Sequence, residues 1–353
     1  MTRAAPPPIP HSRPTLGEED RQAIAEVLAS GFIAQGERVA AFEREVAAML
    51  GVAGGVATSS GTAALVLALR GLGVGEGDEV LIPTYVCSAL LHAVRAVGAA
   101  PRLVDADPAS FNMDPEAARR ARSARAKALV VVHSFGLPAE LDALRALGLP
   151  VIEDAAQALG AAFHDRPVGS FGDVAVLSFY ATKVITTGEG GMLLSNDPRI
   201  LATGRDLREY DQKADDRPRF NYKLTDLQAA LGLAQLKRLP RFLHRRRLLA
   251  ARYGEALAGL PLALPPAPAD RTPAHYRYVV KPPRPAAPSL AALEARGVQA
   301  RRPVFRCLHR YLGLDGFPGA DEAWERAVSL PLYPSLTDAE AERVLAAGQD
   351  VFR

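Results

Sequence analysis

The chain has 353 residues, 48% hydrophobic and 23% charged, an ordinary globular composition and a length at which two domains are expected. A formal net charge of only +3 gives no electrostatic case for nucleic acid or an anionic membrane as partner, and no apolar run approaches the ~20 residues that span a bilayer. Cys87 and Cys307 are too few for a disulfide framework and lack metal-ligand spacing, and Met1–Pro10 has no signal-peptide apolar core, so the cytoplasm is the expected compartment.

Residues 1–14 read as an irregular, proline-rich arm. A helix starts at Leu16, with Glu18, Glu19 and Asp20 in its first turn, where acids suit the helix dipole. Ile24, Val27 and Leu28 give it one apolar face, and Val39, Phe42, Val46 and Leu50 mark a second amphipathic helix. From there the pattern alternates. Strands are predicted at Val80–Ile82, Arg102–Asp105, Leu129–His133, Val151–Asp154, Val174–Phe179 and Met192–Leu194, with helices near 62–71, 86–98, 114–125 and 139–147. Such alternation predicts a mostly parallel sheet covered on both faces. Leu224–Leu239 reads as a strong helix leading into Arg241–Leu257, whose Arg245-Arg246-Arg247 cluster suits a solvated or partner-facing helix surface better than nucleic acid. Nine prolines between Pro261 and Pro288 signal a change of character. A large domain over 1–240 and a smaller one over 241–353 are expected, the latter with a strand at Tyr276–Val280 and helices at Leu290–Arg296 and Asp338–Ala347. No internal repeat is present.

The candidate chemistry centres on Ser178–Gly191, where Lys183 follows a predicted buried strand, the position at which α/β sheets place their sites. Gly188, Gly190 and Gly191 allow close backbone approach. An acidic strand end, Glu153-Asp154, lies upstream, and Asp154 and Gln157 are expected one helical turn apart on one face. A lysine amine with a buried aspartate is the pair that pyridoxal phosphate (PLP) requires: one bonds its aldehyde and the other keeps its ring nitrogen protonated. Asp154 also has a simpler reading as a helix cap. Ser59–Leu65 is either an ordinary helix start or an anion site, with free N–H groups, the Thr62 hydroxyl and Ser178 nearby to take a phosphate. His133, at another strand end, lines the same cleft or is a structural histidine.

Together, Ser59–Leu65, Glu153–Gln157, Gly169-Ser170, Ser178–Lys183, Gly188–Gly191, Phe220–Leu231 and Ser329–Leu336 resemble the DegT/StrS sugar aminotransferases, over nearly the whole chain from about Pro10. The resemblance implies an α/β fold of fold type I, with a mostly parallel mixed sheet in the large domain and a smaller C-terminal α+β domain. It implies PLP as cofactor, Lys183 as the lysine that bonds it and moves protons, Asp154 at the ring nitrogen and Gln157 at the ring hydroxyl. Gly61, Thr62, Ala63 and Ser178 would hold the phosphate. Asn221 would reach the phosphate from a neighbouring subunit, so the resemblance implies a homodimer with shared sites. The implied reaction moves an amino group from glutamate or glutamine to a keto sugar, expected to be nucleotide-linked, with neither nucleic acid nor membrane as partner.

Three departures from the family pattern fall where the substrate is read. The position of the aromatic residue that covers the cofactor ring holds Cys87, with Tyr85 as a nearby substitute. Lys223 stands in place of an arginine, and Arg301-Arg302-Pro303-Val304-Phe305-Arg306 replaces a His-Tyr-x-Pro segment. Lys223, Arg301, Arg302 and Arg306 are therefore the candidate substrate residues, the arginines suiting a diphosphate through their bidentate forks. A cyclitol aminotransferase is the alternative within the family. A sugar dehydratase of the same fold would carry histidine at Lys183, and a PLP-binding regulator would not need every polar cofactor contact.

Overall fold

The computed structural model of the chain describes residues 7–353, so the first six residues of the arm expected at 1–14 lie outside the described residues. Seven strands build the central sheet: β1 (Gly54–Thr58), β2 (Glu79–Pro83), β3 (Ala100–Val104), β4 (Ala126–Val132), β5 (Val151–Asp154), β6 (Val174–Ser178) and β7 (Gly191–Ser195). Their order is β1-β7-β6-β5-β4-β2-β3. All neighbours from β3 to β6 pair in parallel, while β7 is antiparallel to both β6 and β1. The fold is α/β with a mostly parallel, mixed sheet.

The strands read as apolar runs because both faces are covered. Leu81, Leu129, Val131 and Leu177 point into one core, with Phe42 and Phe179. Their sequence neighbours Val80, Ile82, Val130, Ile152 and Val176 point into another, with the helix α3 (Gly61–Gly71). The strand β1 has no counterpart among the sequence predictions. Three of the five residues in its Gly-Gly-Val-Ala-Thr sequence are glycine or alanine, which strands disfavour, and its pairing with β7 and burial on both sides make it a strand.

The long helix Asp226–Leu257 runs straight through Pro240. A proline inside a helix costs ~3 kcal/mol, but Pro240 is exposed while Leu239, Phe242 and Leu243 around it are buried. Burying each of those side chains contributes ~1.5–3 kcal/mol, which outweighs the lost hydrogen bond. The boundary expected at residue 240 lies inside this helix. Its C-terminal half, with Leu249, Tyr253 and Leu257, shares a third core with the hairpin-like pair β8 (Tyr278–Val280) and β9 (Val328–Leu330) and the last helix, Asp338–Phe352. The described part of the arm is irregular, as expected, yet it docks on this core: Ile9 is buried and forms a parallel bridge with Val298.

Candidate active site

The strands β4, β5 and β6 run in parallel and bring their C-terminal ends, at His133, Asp154 and Ser178, to one edge of the sheet. The strand β1 has the same direction, so the turn Ser59-Ser60 that opens α3 reaches the same edge. This is where ligands sit in open α/β sheets. Lys183 lies in the connection from β6 to β7. That loop is folded back on itself: Phe179 N–H donates to Gly190 O (2.8 Å), Thr187 N–H to Phe179 O (2.9 Å) and Lys183 N–H to Tyr180 O (2.9 Å). Phe179 is fully buried and anchors the loop, leaving Lys183 half-buried with its Nζ 5.3 Å from the centroid of the Tyr276 ring. The Tyr276 hydroxyl lies 3.3 Å from Thr182 Oγ1. Burial raises the pKa of this phenol, but the Lys183 and Arg277 cations and the Thr182 contact together bring it down to about 8.

Asp154 is buried beside this lysine. Burial pushes its carboxyl above the ordinary range, opposed by the Ala156 amide, the Lys183 ammonium and His133. One oxygen accepts from Ala156 N–H (3.0 Å); the other has no hydrogen-bond partner among the described residues. The helix expected after Asp154 does not form: Ala155–Gly160 is a turn, closed by Ala158 N–H donating to Ala155 O and Ala161 N–H to Ala158 O. Asp154 and Gln157 are thus brought together by turn geometry and not by helical periodicity. Gln157 Oε1 accepts from Phe135 N–H (3.1 Å), which holds the amide and leaves its NH2 free to donate. His133 is fully buried: Ala139 N–H donates to its Nδ1 (3.1 Å), so its Nε2 carries the proton toward Glu153 (3.2 Å). Glu153 in turn accepts from the amides of Gly169, Phe171 and Gly172. His133 and Glu153 are the structural frame behind Asp154.

The turn at α3 is packed to its limit. A Cβ on Gly191 would lie 2.4 Å from the Ser60 carbonyl, and one on Gly61 2.9 Å from Ser178 Cβ, so only glycine lets β7, β6 and the turn meet. Ser60 caps α3, its Oγ accepting from Ala63 N–H, while Ala64 N–H donates to Ser60 O. The Ala63 amide is therefore engaged within the cap, and the Gly61 and Thr62 amides are the donors that the helix itself leaves without acceptors. The Ser178 hydroxyl abuts this turn. The exposed Asn221 lies on a short stretch that pairs antiparallel with the same chain, Thr58 bridging Lys223 and Ser59 N–H donating to Tyr222 O (2.7 Å). Folding removes the sequence separation between Asn221 and this turn. Lys223 itself pairs with Asp211 (3.2 Å).

Cys87 is exposed, whereas Tyr85 is buried between Phe111 and Phe135 with its hydroxyl directed at Ala323 O. Tyr85 is thereby committed to that aromatic cluster. The three candidate arginines diverge. Among the described residues the Arg301 side chain donates only to its neighbour's carbonyl, Ala300 O; Arg302 donates to Trp324 O and Glu325 O with its guanidinium 4.1 Å from the Trp324 centroid; Arg306 donates to Arg310 O and lies over Tyr311. Asp321, a possible partner for them by composition, is taken by Arg310 and His309. Tyr276, which the sequence placed only in a strand, emerges as a neighbour of Lys183. The 94-residue separation of the Thr182–Tyr276 contact explains why no local pattern revealed it.

A family model for the DegT/DnrJ/EryC1/StrS aminotransferases matches residues 14–349. The chain belongs to that family. It is 35% identical to the spore coat polysaccharide biosynthesis protein SpsC of Bacillus subtilis, over 98% of this chain and 97% of that protein. Among solved structures, S. venezuelae DesV superposes with a TM-score of 0.90 at 36% identity, over 95% of each chain. Spr1654 of Streptococcus pneumoniae, assigned as a sugar aminotransferase, superposes in its PLP form with a TM-score of 0.92 at 26% identity, over 98% of this chain and all of that one. The fold is therefore fold type I, and the protein is a PLP-dependent aminotransferase of the sugar-aminotransferase family. The site fits that cofactor on its own geometry: a buried carboxylate with one oxygen unpaired, a lysine beside it, a free amide on Gln157, and a glycine-tight helix start at one sheet edge. No helix among the described residues is long and apolar enough to cross a membrane.

Proposed function

We propose that the protein transfers an amino group from glutamate or glutamine to a keto sugar carried on a nucleotide, in the cytoplasm, as a homodimer. The observation that carries the site assignment is the buried Asp154 carboxylate, whose unpaired oxygen shares a sheet edge with Lys183. A cationic ring N–H is the partner that a desolvated carboxylate of this kind favours. PLP, when bound, supplies the electron sink that stabilises negative charge at the carbon losing its proton. The chain supplies the rest. Lys183 Nζ would hold the cofactor and would take and return the proton at the donor carbon. Asp154 would keep the ring nitrogen protonated, and Gln157 would donate to the ring hydroxyl oxygen. Gly61 and Thr62, with Ser178 and Ala63 at the edge of the turn, would hold the phosphate, and Cys87 would stand at the position that covers the ring.

The domain division at about residue 240 belongs to this proposal, the long helix linking the two parts. So does the dimer, with Asn221 reaching a partner's phosphate. Mixing Lys183→Ala with Asn221→Ala subunits tests it: recovery of roughly one sound site per heterodimer supports a shared site, and no recovery in proven heterodimers opposes it. The direct test of the chemistry is borohydride reduction of the yellow holoenzyme followed by peptide mapping. Label on Lys183 is expected; label on another lysine overturns the assignment.

A further inference from the structure

In the proposed reaction Lys183 is first bound to the cofactor and then released, and the released state raises a problem of charge. Once it carries the proton it has taken, its nitrogen is an ammonium in a closed site, where an unpaired charge is costly. Among the described residues Lys183 makes no ion pair, and the contact its Nζ has is with the face of the Tyr276 ring, 5.3 Å from the centroid. The Asp154 carboxylate feels the Lys183 charge, but the proposed function commits it to the ring nitrogen of the cofactor, so it does not also neutralise the lysine. An electron-rich ring face attracts an ammonium within about 6 Å of its centroid, most strongly where water is excluded.

The Tyr276 ring is built into the site and not merely near it. It is buried in the same core as Phe179, the anchor of the lysine loop. Its main chain is held from both sides. Arg246 NH1 donates to His275 O (3.2 Å) and Tyr276 O (3.1 Å), while Ala274 N–H donates to Gly136 O (2.9 Å) and Arg277 N–H to Phe135 O (3.3 Å). The turn Ser134–Gly136 that accepts these bonds also holds Gln157, through Phe135 N–H. It is wedged tightly, since a Cβ on Gly136 would lie 2.9 Å from Tyr276 N and 3.1 Å from Gln157 O. Phe135 (φ 58°) and His275 (φ 48°) both occupy the left-handed region, which residues with side chains mostly avoid. Strain of this kind persists where the surrounding structure over-determines a position, and functional sites are where it gathers. The Tyr276 hydroxyl lies 3.3 Å from Thr182 Oγ1, so one side chain touches both Lys183 and the residue before it. The Arg277 guanidinium carbon is also 5.3 Å from this ring and is steadied by His11 Nε2 (3.3 Å), so a test of the ring has to read Lys183 itself.

We propose that Tyr276 is a positioning residue for Lys183: its ring face receives the ammonium after release, and its hydroxyl holds Thr182 so that the loop keeps Nζ over that ring. The inference rests on Lys183 being the cofactor lysine and adds what holds it between its two states. Phenylalanine and its mono-, di- and trifluoro derivatives at position 276 keep the shape of the ring while drawing electron density from its face step by step. In the cofactor-free protein only neutral amines acylate, so acetylation of Lys183 by limiting acetic anhydride, mapped by peptide, is expected to rise with each fluorine, by about tenfold over the series. In holoenzyme the donor half-reaction with glutamate or glutamine, followed by cofactor absorbance, is expected to slow in the same order by about tenfold at saturation, with the donor concentration for half-maximal rate within about twofold. Tyr276→Leu is expected to fall beyond the trifluoro member, and Tyr276→Phe to recover most of that loss. Acetylation and half-reaction both flat across the series overturn the proposal whatever Tyr276→Leu does, because a ring that only fills space is indifferent to fluorine. A trend in the half-reaction with flat acetylation of Lys183 also overturns it, by assigning the ring to Arg277. Borohydride label on a lysine other than Lys183 overturns the cofactor reading and the positioning role with it, whereas a flat series with the label on Lys183 overturns the positioning role alone.

Discussion

The two sides of the Lys183 cleft are held in different ways. The side that faces Asp154 is built from strand ends and main-chain hydrogen bonds, backed by the buried Glu153–His133 pair and by glycines with no room for a methyl group. The side made by the smaller core is built from arginines and aromatic rings, joined through side-chain tips and cation–π contacts. A main-chain frame fixes positions to fractions of an ångström, which a constant chemistry needs. Side-chain contacts can be exchanged without disturbing the fold, which suits a surface that reads variable substrates. The difference predicts that substitutions on the first side remove catalysis or folding, and those on the second change selectivity.

The largest effect is expected at Lys183. Lys183→Ala should abolish steady-state turnover and leave the melting temperature of the cofactor-free protein nearly unchanged, since the side chain is half-buried and makes no ion pair among the described residues. Residual multiple turnover in that variant would break the comparison at its centre.

Asp154 comes next. Asp154→Ala should cost several kcal/mol in the transition state, because charge stabilisation in a closed site dominates such steps. A loss of only about tenfold in kcat/KM, ~1.4 kcal/mol, would refute the role. The same residue makes a pH prediction in the cofactor-free protein. Its folded pKa is raised, chiefly by burial, so folding carries a penalty once the carboxyl ionises. That penalty is absent below the unfolded pKa of ~3.9 and full above the folded one. Asp154→Asn apoprotein should therefore be more stable than wild type at neutral pH, with the advantage fading toward pH 4. Thermal unfolding across that range measures it, and an advantage that grows on acidification would reverse the sign of the argument.

Gly191→Ala is expected to follow. The added Cβ meets main chain at Ser60 and not a flexible side chain, so the turn must move, at a cost of ~1–3 kcal/mol. Stability should fall and PLP affinity with it, because the displaced turn carries the Gly61 and Thr62 amides. Cofactor affinity unchanged in a destabilised protein would separate the turn from phosphate binding.

The same division governs what could be read before folding. The positions of β2, β4, β5 and β6 are legible because buried parallel strands demand continuous apolar runs, and the Lys183 loop is legible because its glycines and hydroxyls follow such a run. The strand β1 escapes because glycine and alanine carry no strand preference. The helix Pro198–Leu207 was also missed, although Asp197 followed by Pro198 is a cap and first-turn proline, the signal that marks a helix start. The turn after Asp154 imitates a helical spacing while obeying turn hydrogen bonds. His11, Tyr276 and Arg277 have no local signature: His11 and Arg277 are 266 residues apart, and only the packing of the arm on the smaller core joins them.

The smallest effects should lie among the surface arginines, and there the structure separates residues that composition treats alike. Arg302 is clamped: it donates to Trp324 O and Glu325 O, and Trp324 is stacked between its guanidinium and that of Arg310, each 4.1 Å from the ring centroid. Its NH1 serves both carbonyls and its guanidinium is held against the Trp324 ring, so Arg302→Ala should cost stability, ~0.5–1 kcal/mol for an accessible cation–π contact, with little change in any KM. Arg306 spends one nitrogen on Arg310 O and is otherwise exposed over Tyr311, leaving the rest of its fork for a ligand. If a sugar diphosphate docks on this side, Arg306→Ala should raise the sugar-nucleotide KM on the order of threefold, as suits an exposed charge contact worth under ~1 kcal/mol. The difference between wild type and variant should shrink as salt rises, since exposed charges are screened over ~8–10 Å. A larger KM effect at Arg302 than at Arg306, or a KM effect indifferent to salt, would show that the sugar nucleotide is held by a different surface.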